Sequence, residues 1–523
     1  MLSTYPLSSV YITHPLISFP LLKFMSQPVD LKTLLKNVEV IKIMGPKSNP
    51  QIKSLAIHSQ MAQLESLFFA IPGTQYKGSD FIEEASRRGA IACICEQLIP
   101  HAGYILQIQV KDARQALSQI ASKFYNHPDT QLQLIGITGT SGKTTTSWLL
   151  KHILTVHCKE DMGLLGTLHY DLGKRILPAL RTTPDALSIA AYLKEMVQSQ
   201  LKYAVMEVSS HGIEQKRVAA LQFDTAIFTN LSTEHLDYHN TMDNYFMVKK
   251  SLFWQKGLKH AVVNQDDPYS QKLLKDLPNS LNIITFGMGT SATLQAKNVH
   301  IHSQGTQFDL VCPQGQWTVK TPLLGIFNVY NCLAALAVCY VQGYDLTPSI
   351  EALKTFSTIP GRLEKILSVQ NDGMDAFIDY AHKPQALKNV LQALRLLTQK
   401  KIHLVFGCGG NRDRTKRPLM ARVAETYADV NWVTSDNPRT EPQSQIFDDI
   451  RTGLLYPDKV TFIEDRAETI RKAFANCKSG DCLLIAGKGH ERYQEINHQF
   501  FPFDDRTILV TCCSSKNDKL QAV

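Results

Sequence analysis

The sequence predicts a three-domain α/β protein, and three observations support that fold class. The chain has 523 residues, enough for roughly three to four domains at ~150 residues each. From residue 134 onward, apolar strands alternate with helical patterns, which is typical of a mostly parallel sheet covered by helices. A second series of the same kind begins after the Pro-Gly pair at 360–361. We therefore expect domains at 25–127, 128–357 and 358–523.

The composition is that of a globular protein, with 44% hydrophobic, 20% charged and 8% aromatic residues. These values exclude a largely disordered, collagen-like or coiled-coil chain. The net charge of +8 is a mild excess that suits anionic small molecules and does not argue for nucleic acid. No apolar run reaches the ~18 residues of a membrane-spanning helix, so we expect no membrane partner. The 11 cysteines lack zinc-site spacing, and we interpret them as reduced thiols of a cytoplasmic protein.

Residues 1–24 are predicted to be an extension that is dispensable. They contain no acidic residue, a single basic one, and prolines at 15 and 20 that interrupt the apolar stretch. A signal peptide has a basic start and an unbroken apolar segment, so this segment does not fit one. Met25 is a second possible start of the native chain.

The first domain is expected to mix short strands and helices. The apolar run at 65–71 is followed by Pro72 and Gly73, which predicts a strand entering a turn. The polar, turn-forming segment at 125–129 marks the end of this domain.

The second domain contains a candidate phosphate-binding loop. We predict strands at 134–138, 204–208, 225–228 and 261–264. The first leads into the small residues Gly139, Thr140, Ser141 and Gly142, and Lys143, Thr144 and Thr145 then open a helix. Small residues let backbone N–H groups converge on phosphate oxygens, the lysine adds positive charge, and the Thr144 hydroxyl can hold Mg²⁺. The sequence therefore predicts a nucleoside triphosphate site.

Two further segments after strands supply candidate metal ligands. Glu207 ends one predicted strand, and the stretch at 229–239, which includes His235, follows another. Strand ends of an open α/β sheet face the ligand crevice, where a carboxylate can bind Mg²⁺ directly. The third domain, with strands expected at 376–379, 403–406, 431–434 and 482–486, is predicted to be Rossmann-like.

From about residue 31 to about residue 510, the sequence resembles the Mur ligases, ATP-dependent amide-forming enzymes of peptidoglycan synthesis. The resemblance is carried by these segments: 139–144 (GTSGKT), 182–185 (TTPD), 207–211 (EVSSH), 235–239 (HLDYH), 325–331 (GIFNVYN), 361–362 (GR), 379–382 (DYAH) and 436–439 (DNPR). Within the family, the sequence is most similar to the branch that adds meso-diaminopimelate to UDP-N-acetylmuramoyl-L-alanyl-D-glutamate. The resemblance implies a three-domain cytoplasmic monomer that serves cell-wall biogenesis and, through it, cell shape and cell division.

The resemblance also implies a chemistry. ATP would phosphorylate the free carboxylate of D-glutamate, and the amine would attack the acyl phosphate and expel phosphate. Lys143, Mg²⁺ and Arg362 would stabilise the transferring group. Glu207, His235 and Thr144 would hold metal ions together with Lys249, the expected site of a CO₂-derived carbamate, although its neighbour Lys250 leaves the choice of lysine open. Asn328 and Asn331 would contact adenine, or would instead cap a helix.

Substrate contacts carried over from the family fall in all three domains. The UDP-sugar would contact Ile57, Ser59, Thr74, Gln75 and Tyr76. The muramoyl-dipeptide would contact Thr182, Thr183, Ser209, Gln215 and Arg217, the arginine acting as a carboxylate clamp. Diaminopimelate would contact Arg412, Asp436, Asn437, Pro438, Arg439, Gly487 and Glu491. Arg439 is the candidate that selects the second carboxylate, which lysine lacks.

Two other functions fit parts of the sequence. A folylpolyglutamate-type ligase would share the ATP loop and the lysine carbamate, but the long first domain and the motif at 436–439 argue against it. A nucleotide-binding switch protein would need no second-substrate motifs, so the cluster in the third domain disfavours it.

Overall fold

The computed structural model describes residues 27–521 except 47, 74–75, 101–104, 160 and 367–372. The predicted extension at 1–24 and the candidate contacts Thr74 and Gln75 lie outside the described residues. The described cysteines are all free thiols. Within the same ranges, no helix combines the length and the apolar character needed to cross a bilayer.

The amino-terminal part of the chain forms a five-stranded sheet in the order β2-β7-β6-β5-β4. The strands of this part are β1 Val29–Asp30, β2 Val40–Met44, β3 Gln51–Ile52, β4 Ser54–Ala56, β5 Ser66–Phe69, β6 Ala90–Cys95 and β7 Leu106–Val110, and its helices are α1 Leu31–Leu35, α2 Ile82–Arg87 and α3 Ala113–Phe124. In the five-stranded sheet all pairs are parallel except β2 with β7, and β1 and β3 form a separate antiparallel pair. The strand expected at 65–71 is confirmed as β5.

The central part forms one 11-stranded sheet in the order β11-β10-β9-β12-β8-β13-β14-β15-β16-β17-β18. Its strands are β8 Gln133–Thr138, β9 Met162–Leu165, β10 His169–Asp171, β11 Ile176–Pro178, β12 Tyr203–Glu207, β13 Thr225–Phe228, β14 His260–Asn264, β15 Asn282–Gly287, β16 Leu294–His302, β17 Gly305–Cys312 and β18 Gly315–Thr321. Its helices are α4 Lys143–Cys158, α5 Ala186–Gln198, α6 Ser210–Glu214, α7 Leu236–His239, α8 Met242–Lys250, α9 Pro268–Asp276, α10 Ile326–Val341 and α11 Leu346–Lys354. The four predicted strands are confirmed as β8, β12, β13 and β14.

The middle of this sheet is parallel, whereas both of its ends are antiparallel. The antiparallel strands β16 to β18 were not predicted. One reason is that β16 is buried over its first three residues and then largely exposed, which leaves no regular apolar alternation to read. The mostly parallel architecture expected from the sequence is nonetheless correct.

Strand register sets the position of the candidate site. In the parallel ladder β12-β8-β13, Glu207 lies beside Ile137 and Phe228 beside Thr138, so the three strands end together. The loop at 139–142, Glu207 and the segment after residue 228 therefore share one edge of the sheet. Apolar side chains of α4 and α10 pack into the same core as β8, which fixes the start of α4 against that edge.

The carboxyl-terminal part forms a six-stranded sheet in the order β19-β20-β24-β21-β22-β23, and only β19 pairs antiparallel. Its strands are β19 Glu364–Ile366, β20 Asp375–Asp379, β21 Ile402–Phe406, β22 Val430–Val433, β23 Val460–Phe462, β24 Cys482–Ala486, β25 Tyr493–Ile496 and β26 Gln499–Pro502, and its helices are α12 Pro384–Arg395, α13 Lys416–Tyr427, α14 Gln443–Arg451, α15 Arg466–Asn476 and α16 Asp505–Gln521. The four predicted strands are confirmed as β20, β21, β22 and β24. Strands β25 and β26 form a separate hairpin.

Candidate active site

The phosphate loop at 139–142 joins β8 to the start of α4. Gly142 has a φ of +88°, and a Cβ at this position would lie 2.5 Å from Oδ1 of Asn331, so backbone conformation and space both require glycine. The Ser141 N–H donates to Oδ1 of Asn230 at 2.9 Å, which ties the loop to the segment after β13. The first N–H groups of α4 have no acceptor within the helix and are available to an anion.

Lys143 is the first residue of α4, and its side chain folds back over the loop. Its Nζ donates to the carbonyl oxygens of Gly139 at 2.8 Å and Thr140 at 3.0 Å. Burial lowers the pKa of Lys143 to about 8. Thr144 and Thr145 follow in the same helical turn and are buried.

Glu207 is a fully buried carboxylate at the end of β12. It accepts hydrogen bonds from the Thr144 hydroxyl at 2.9 Å, the Thr167 hydroxyl at 2.9 Å and the Thr167 N–H at 3.0 Å. Within the described ranges, no lysine, arginine or histidine forms an ion pair with it. A buried carboxylate with only neutral partners favours a cation, and Mg²⁺ commonly takes one or two carboxylates plus phosphate oxygens.

Lys249, on α8, reaches the same loop from the opposite side. Its side chain is buried, and its Nζ donates to the Gly139 carbonyl at 2.9 Å and lies 4.7 Å from the centre of the Tyr245 ring. Burial and then the charge of Lys143 hold the pKa of Lys249 well below its usual range. Such a shift favours the neutral amine, which is the form that reacts with CO₂.

Lys250 turns away from the loop. Its Nζ pairs with Asp276 at 2.5 Å and lies 4.9 Å from the centre of the Trp254 ring. Of the two neighbouring lysines, only Lys249 thus has its amine at the phosphate loop.

A carboxylate and two basic side chains meet where the central and carboxyl-terminal parts of the chain touch. Glu234 forms an ion pair with Lys383, which precedes α12, and another with Nε2 of His235 at 3.1 Å. Burial opposes ionisation of Glu234, but Lys383 and His235 outweigh it and hold its pKa well below its usual range. His235 has a left-handed backbone, with φ of 55°, and begins α7. It is also in ring contact with His211, whose pKa burial lowers to about 4.

Arg362 also crosses from the carboxyl-terminal part to the phosphate loop. Its terminal nitrogen donates to the Thr144 hydroxyl at 3.3 Å, and its guanidinium carbon lies 4.9 Å from the centre of the Tyr380 ring. The Nε of Arg362 is buried without a hydrogen-bond partner in the described structure. The arrangement leaves a donor of this arginine available beside the loop.

Asn328 and Asn331 lie on the first turns of α10 and are buried. Asn328 donates to the Leu324 carbonyl at 2.8 Å, and Asn331 donates to Oδ1 of Asn328 at 2.9 Å. Oδ1 of Asn331 accepts from Thr146 at 3.4 Å. The pair links the start of α10 to α4. Neither asparagine caps the helix, because the residue before α10 is Gly325 and Asn328 donates to a carbonyl instead of accepting a helix N–H, while Asn331 lies beside Gly142 of the phosphate loop.

Thr182, Thr183 and Ser209 form a hydroxyl network behind Glu207. Thr182 and Thr167 hydroxyls lie 3.1 Å apart. Thr183 donates to the Glu207 carbonyl at 2.8 Å and accepts from the Ser209 N–H at 3.0 Å. The network connects the expected dipeptide contacts to Glu207, through its backbone carbonyl for Thr183 and through Thr167 to its carboxylate for Thr182.

Arg217 is mostly buried and donates to the Thr183 carbonyl at 2.7 Å and to Oε1 of Gln215 at 2.6 Å. Burial lowers its pKa to about 10, and the charges of Arg181 and Arg114 add to that shift. The charges of Arg114 from α3 and of Arg181 thus act on Arg217, and a group of arginines at this place suits an anionic substrate.

In the amino-terminal part, Ser59 is buried and donates to Oε2 of Glu84 at 2.7 Å. Ile57, after β4, is partly buried against the amino-terminal core. Tyr76 is exposed and contacts the Phe81 ring edge-on. The structure therefore gives Ser59 an internal partner and leaves Tyr76 accessible.

The expected amine-binding residues follow β22 and β24. Asp436 is buried, and burial opposes its ionisation, but Lys488 and other basic groups hold its pKa below its usual range. Asn437 donates to Oε2 of Glu491 at 2.8 Å, and Lys488 donates to Oδ1 of Asn437 at 2.9 Å. Gly487 has room only for hydrogen, since a Cβ there would lie 2.8 Å from Oδ2 of Asp436.

Arg439 follows the buried Pro438 and has a left-handed backbone, with φ of 53°. Its Nε pairs with Oε2 of Glu495 at 2.9 Å, and one terminal nitrogen donates to the Gly410 carbonyl at 2.9 Å. Arg412 lies exposed on the loop after β21. The structure thus brings Asp436–Arg439, Gly487, Glu491 and the loop bearing Arg412 to one end of the sheet.

Sequence reasoning missed four residues that the structure brings into these sites: Thr167, Glu234, Lys383 and Glu495. Glu234 precedes His235 directly and follows a predicted strand, so its place in the sequence could have indicated that it belongs to the site. Thr167 and Glu495 carried none, because each acts through a partner distant in sequence.

Comparisons with known proteins agree with this geometry. Three family models match the chain: "Mur ligase family, catalytic domain" at residues 51–125, "Mur ligase middle domain" at 137–339, and "Mur ligase, glutamate ligase domain" at 361–489.

Individual relatives match along most of the chain. Two are named UDP-N-acetylmuramoyl-L-alanyl-D-glutamate--2,6-diaminopimelate ligase. The protein of Geobacillus thermodenitrificans (strain NG80-2) is 41% identical over 470 residues, covering 88% of this chain and 94% of the relative. That of Aquifex aeolicus (strain VF5) is 41% identical over 459 residues, covering 88% and 93%. A solved structure of a ligase with the same name has a TM-score of 0.68 and 33% identity, and the match covers 94% of this chain and 99% of that one.

Proposed function

The chain belongs to the Mur ligase family, and from that premise we propose that it uses ATP to join meso-diaminopimelate to UDP-N-acetylmuramoyl-L-alanyl-D-glutamate. The reaction is a step of peptidoglycan precursor synthesis and forms an amide on the side-chain carboxylate of D-glutamate. The observation that carries the proposal is the phosphate loop, because residues from two parts of the chain complete it. Lys143, Thr144 and Lys249 come from the central part and Arg362 from the carboxyl-terminal part. Lys383, also from the carboxyl-terminal part, pairs with Glu234, and both charges act on Lys143.

In the proposed reaction, this chain first binds and neutralises the phosphates of ATP. The Lys143 amine exchanges its hydrogen bonds to the loop carbonyls for hydrogen bonds to phosphate oxygens. The N–H groups at the start of α4 bind the same phosphates. Arg362 and Lys383 add positive charge from the other side of the cleft. Such preorganised charge stabilises the transferring phosphoryl group without reorganisation at the moment of reaction.

The residues present fit Mg²⁺. Glu207 and Thr144 offer a carboxylate and a hydroxyl oxygen 2.9 Å apart, and His235 lies on the neighbouring loop. Among the described residues, no three His, Cys, Asp or Glu side chains are arranged to hold a metal ion by themselves, so an ion here would also need phosphate oxygens as ligands. When bound, Mg²⁺ would neutralise charge on the phosphate oxygens.

Lys249 fits the carbamate role. A buried, neutral amine adds to CO₂ by forming an N–C bond and losing a proton, and the resulting carbamate supplies oxygens for a hard cation. The position of Nζ at the loop supports Lys249 over Lys250.

The amine is proposed to bind at the end of the carboxyl-terminal sheet. Glu491 and Gly487 would hold the ammonium and its neighbouring carboxylate with Arg412, and Arg439 would bind the second carboxylate. Since one chain carries all three binding regions, we propose a monomer as the working unit. ATP and a nucleotide-linked substrate are cytoplasmic metabolites, so we propose the cytoplasm as its location.

An experiment with ATP, the UDP-muramoyl-dipeptide and a panel of diamino acids tests the function. We expect a product whose mass equals the dipeptide substrate plus meso-diaminopimelate minus water, formed with one ADP per product. Lysine should serve poorly, because it lacks the second carboxylate and leaves N–H donors of Arg439 without an acceptor, at a cost of about 1–3 kcal/mol. Product formation with folate substrates, or ATP turnover without any amine, would contradict the proposal.

A further inference from the structure

The β25–β26 hairpin forms backbone hydrogen bonds with the segment that carries Arg439. The Arg439 N–H donates to the Glu495 carbonyl at 3.0 Å, and the Asn497 N–H donates to the Arg439 carbonyl at 2.8 Å. The Glu495 N–H in turn donates to Oδ1 of Asn437 at 3.0 Å. These bonds hold Arg439 in its left-handed conformation, which is unfavourable for a residue with a side chain.

The side chain of Arg439 is held at two of its three nitrogens. Its Nε pairs with Glu495 at 2.9 Å, and one terminal nitrogen donates to the carbonyls of Gly410 at 2.9 Å and Asn437 at 3.4 Å. Within the described part of the chain, its second terminal nitrogen has no hydrogen-bond partner. The guanidinium therefore keeps two N–H donors for a ligand.

The carboxylate of Glu495 is well placed to fix this arrangement. The side chains of Arg439 and Glu495 are only 20% and 18% exposed, so water competes weakly with their ion pair. Gly409 lies next to both Arg439 and Arg412. A Cβ at this position would lie 3.0 Å from Arg439 and 3.8 Å from Arg412, so the absence of a side chain leaves room for both arginines. With Glu495 occupying the Nε side, a substrate carboxylate is accepted only at the free terminal nitrogen.

We propose that Glu495 is the positioning residue that sets the selectivity for a diamino acid with a second carboxylate. It holds Arg439 in one rotamer and leaves one terminal nitrogen for that carboxylate. The inference rests on the proposed function, in which Arg439 binds the second carboxylate of meso-diaminopimelate. Glu495 itself contacts Arg439 rather than the reacting atoms.

Steady-state kinetics of Glu495→Ala and Glu495→Gln test the role. We expect Glu495→Ala to raise the KM for diaminopimelate about tenfold, while kcat and the KM for ATP change little. Glu495→Gln keeps an oxygen beside Nε but removes its charge, so it should raise this KM only about threefold. Glu468→Gln removes a carboxylate from α15, where it pairs with Lys472, and should leave all parameters unchanged.

A double-mutant cycle separates positioning from a general structural role. In the Arg439→Ala background, Glu495→Ala should add no further increase in the KM for diaminopimelate, because the residue it positions is gone. Additive effects of the two changes would overturn the inference. An unchanged KM in Glu495→Ala, with diaminopimelate preferred over lysine in the unmodified protein, would overturn it while leaving the proposed function intact. Equal use of lysine and diaminopimelate by the unmodified protein would overturn both.

Discussion

The phosphate loop and the proposed amine site are built in different ways. The loop is local: one strand, four small residues and the first turn of α4 supply most of it, and Lys143 bonds to carbonyls three and four residues earlier. The proposed amine site is assembled from segments after β21, β22 and β24 and from the β25–β26 hairpin, with Glu495 56 residues beyond Arg439. The chemistry of a site built from one continuous segment can therefore be predicted from sequence. For a site assembled from distant segments, the sequence indicates candidate residues but not which of them come into contact.

We expect the largest effect at Lys249, which reaches the phosphate loop from α8, a helix distant from the loop in sequence. Lys249→Ala should lower kcat on the order of 10³-fold, since its buried amine and the proposed carbamate oxygens are lost. Added small carboxylates should restore part of the activity by replacing those oxygens. The measurement is ATP turnover with both substrates, with and without acetate or formate.

Lys250→Ala is the matched control for Lys249→Ala. It removes the neighbouring lysine, whose partners are Asp276 and Trp254, and should leave turnover nearly normal. The opposite pattern, an active Lys249→Ala and an inactive Lys250→Ala, would mean that the wrong lysine has been assigned.

Lys143→Ala tests the local half of the comparison. Loss of its charge at the transferring phosphoryl group should lower kcat about 10²-fold or more. The thermal midpoint should change little, because the lysine bonds only to loop carbonyls. Near-normal turnover would contradict the assignment of the phosphate loop.

Arg439→Ala tests the dispersed half. It should raise the KM for diaminopimelate by about 10- to 100-fold through loss of a charged hydrogen-bonding partner, and change the KM for ATP far less. Comparable increases in both KM values would indicate a structural effect rather than recognition of the second carboxylate.

The ion pair between Lys383 and Glu234 links the two regions. Lys383→Met leaves a buried carboxylate without this partner and should lower kcat about tenfold, with a smaller effect on the KM for diaminopimelate. Lys388→Met provides the control. Lys388 lies on α12, the helix that Lys383 precedes, and its amine contacts the Tyr427 ring of α13. If both variants turned over ATP equally fast, Lys383 would have no role in the phosphate site.

Acid stability is tested at two buried histidines of the carboxyl-terminal part. Burial lowers the pKa values of His382 and His490 to about 3, so both stay neutral in the folded protein while unfolded histidine titrates near pH 6.5. Their contribution to stability is present above pH 6.5 and is lost as the pH falls towards 3, at up to about 1.4 kcal/mol per pH unit for each group. The unfolding free energy from denaturant titrations should show this slope.

A double variant of these histidines provides the comparison. The His382→Asn/His490→Asn protein should have a flatter profile between pH 6.5 and 4, whereas His498→Asn, at the exposed hairpin tip, should keep the original slope. Identical slopes in all three proteins would contradict the assignment of the acid sensitivity to the buried pair.

The sequence predicted the fold where the patterns are regular. The eight strands expected in the two larger sheets are all present, because buried parallel strands are continuous apolar runs between helices. The antiparallel strands β16 to β18 and the β25–β26 hairpin were missed. The exposed stretch of β16 interrupts its apolar pattern, and β25 and β26 have only 4 residues each.

For the candidate site, spacing alone predicted the phosphate loop and Glu207, and resemblance to the family supplied Lys249, Arg362 and the amine-binding residues. Neither source indicated that Lys383 would meet Glu234 or that Glu495 would meet Arg439. Such pairs depend on how two folded parts of the chain pack against each other. The spacing of residues along the sequence does not predict that packing. Side-chain contacts between distant segments are therefore the part that only the structure supplies.

The central claim is that ATP activates the substrate carboxylate at the phosphate loop for attack by an amine bound to the carboxyl-terminal sheet. The most direct test is to label the side-chain carboxylate of the UDP-muramoyl-dipeptide with heavy oxygen and to analyse the released phosphate by mass spectrometry. An acyl phosphate passes one labelled oxygen to phosphate when the amine attacks, so we expect one labelled oxygen per phosphate, dependent on diaminopimelate. Unlabelled phosphate accompanying tripeptide formation would contradict the account.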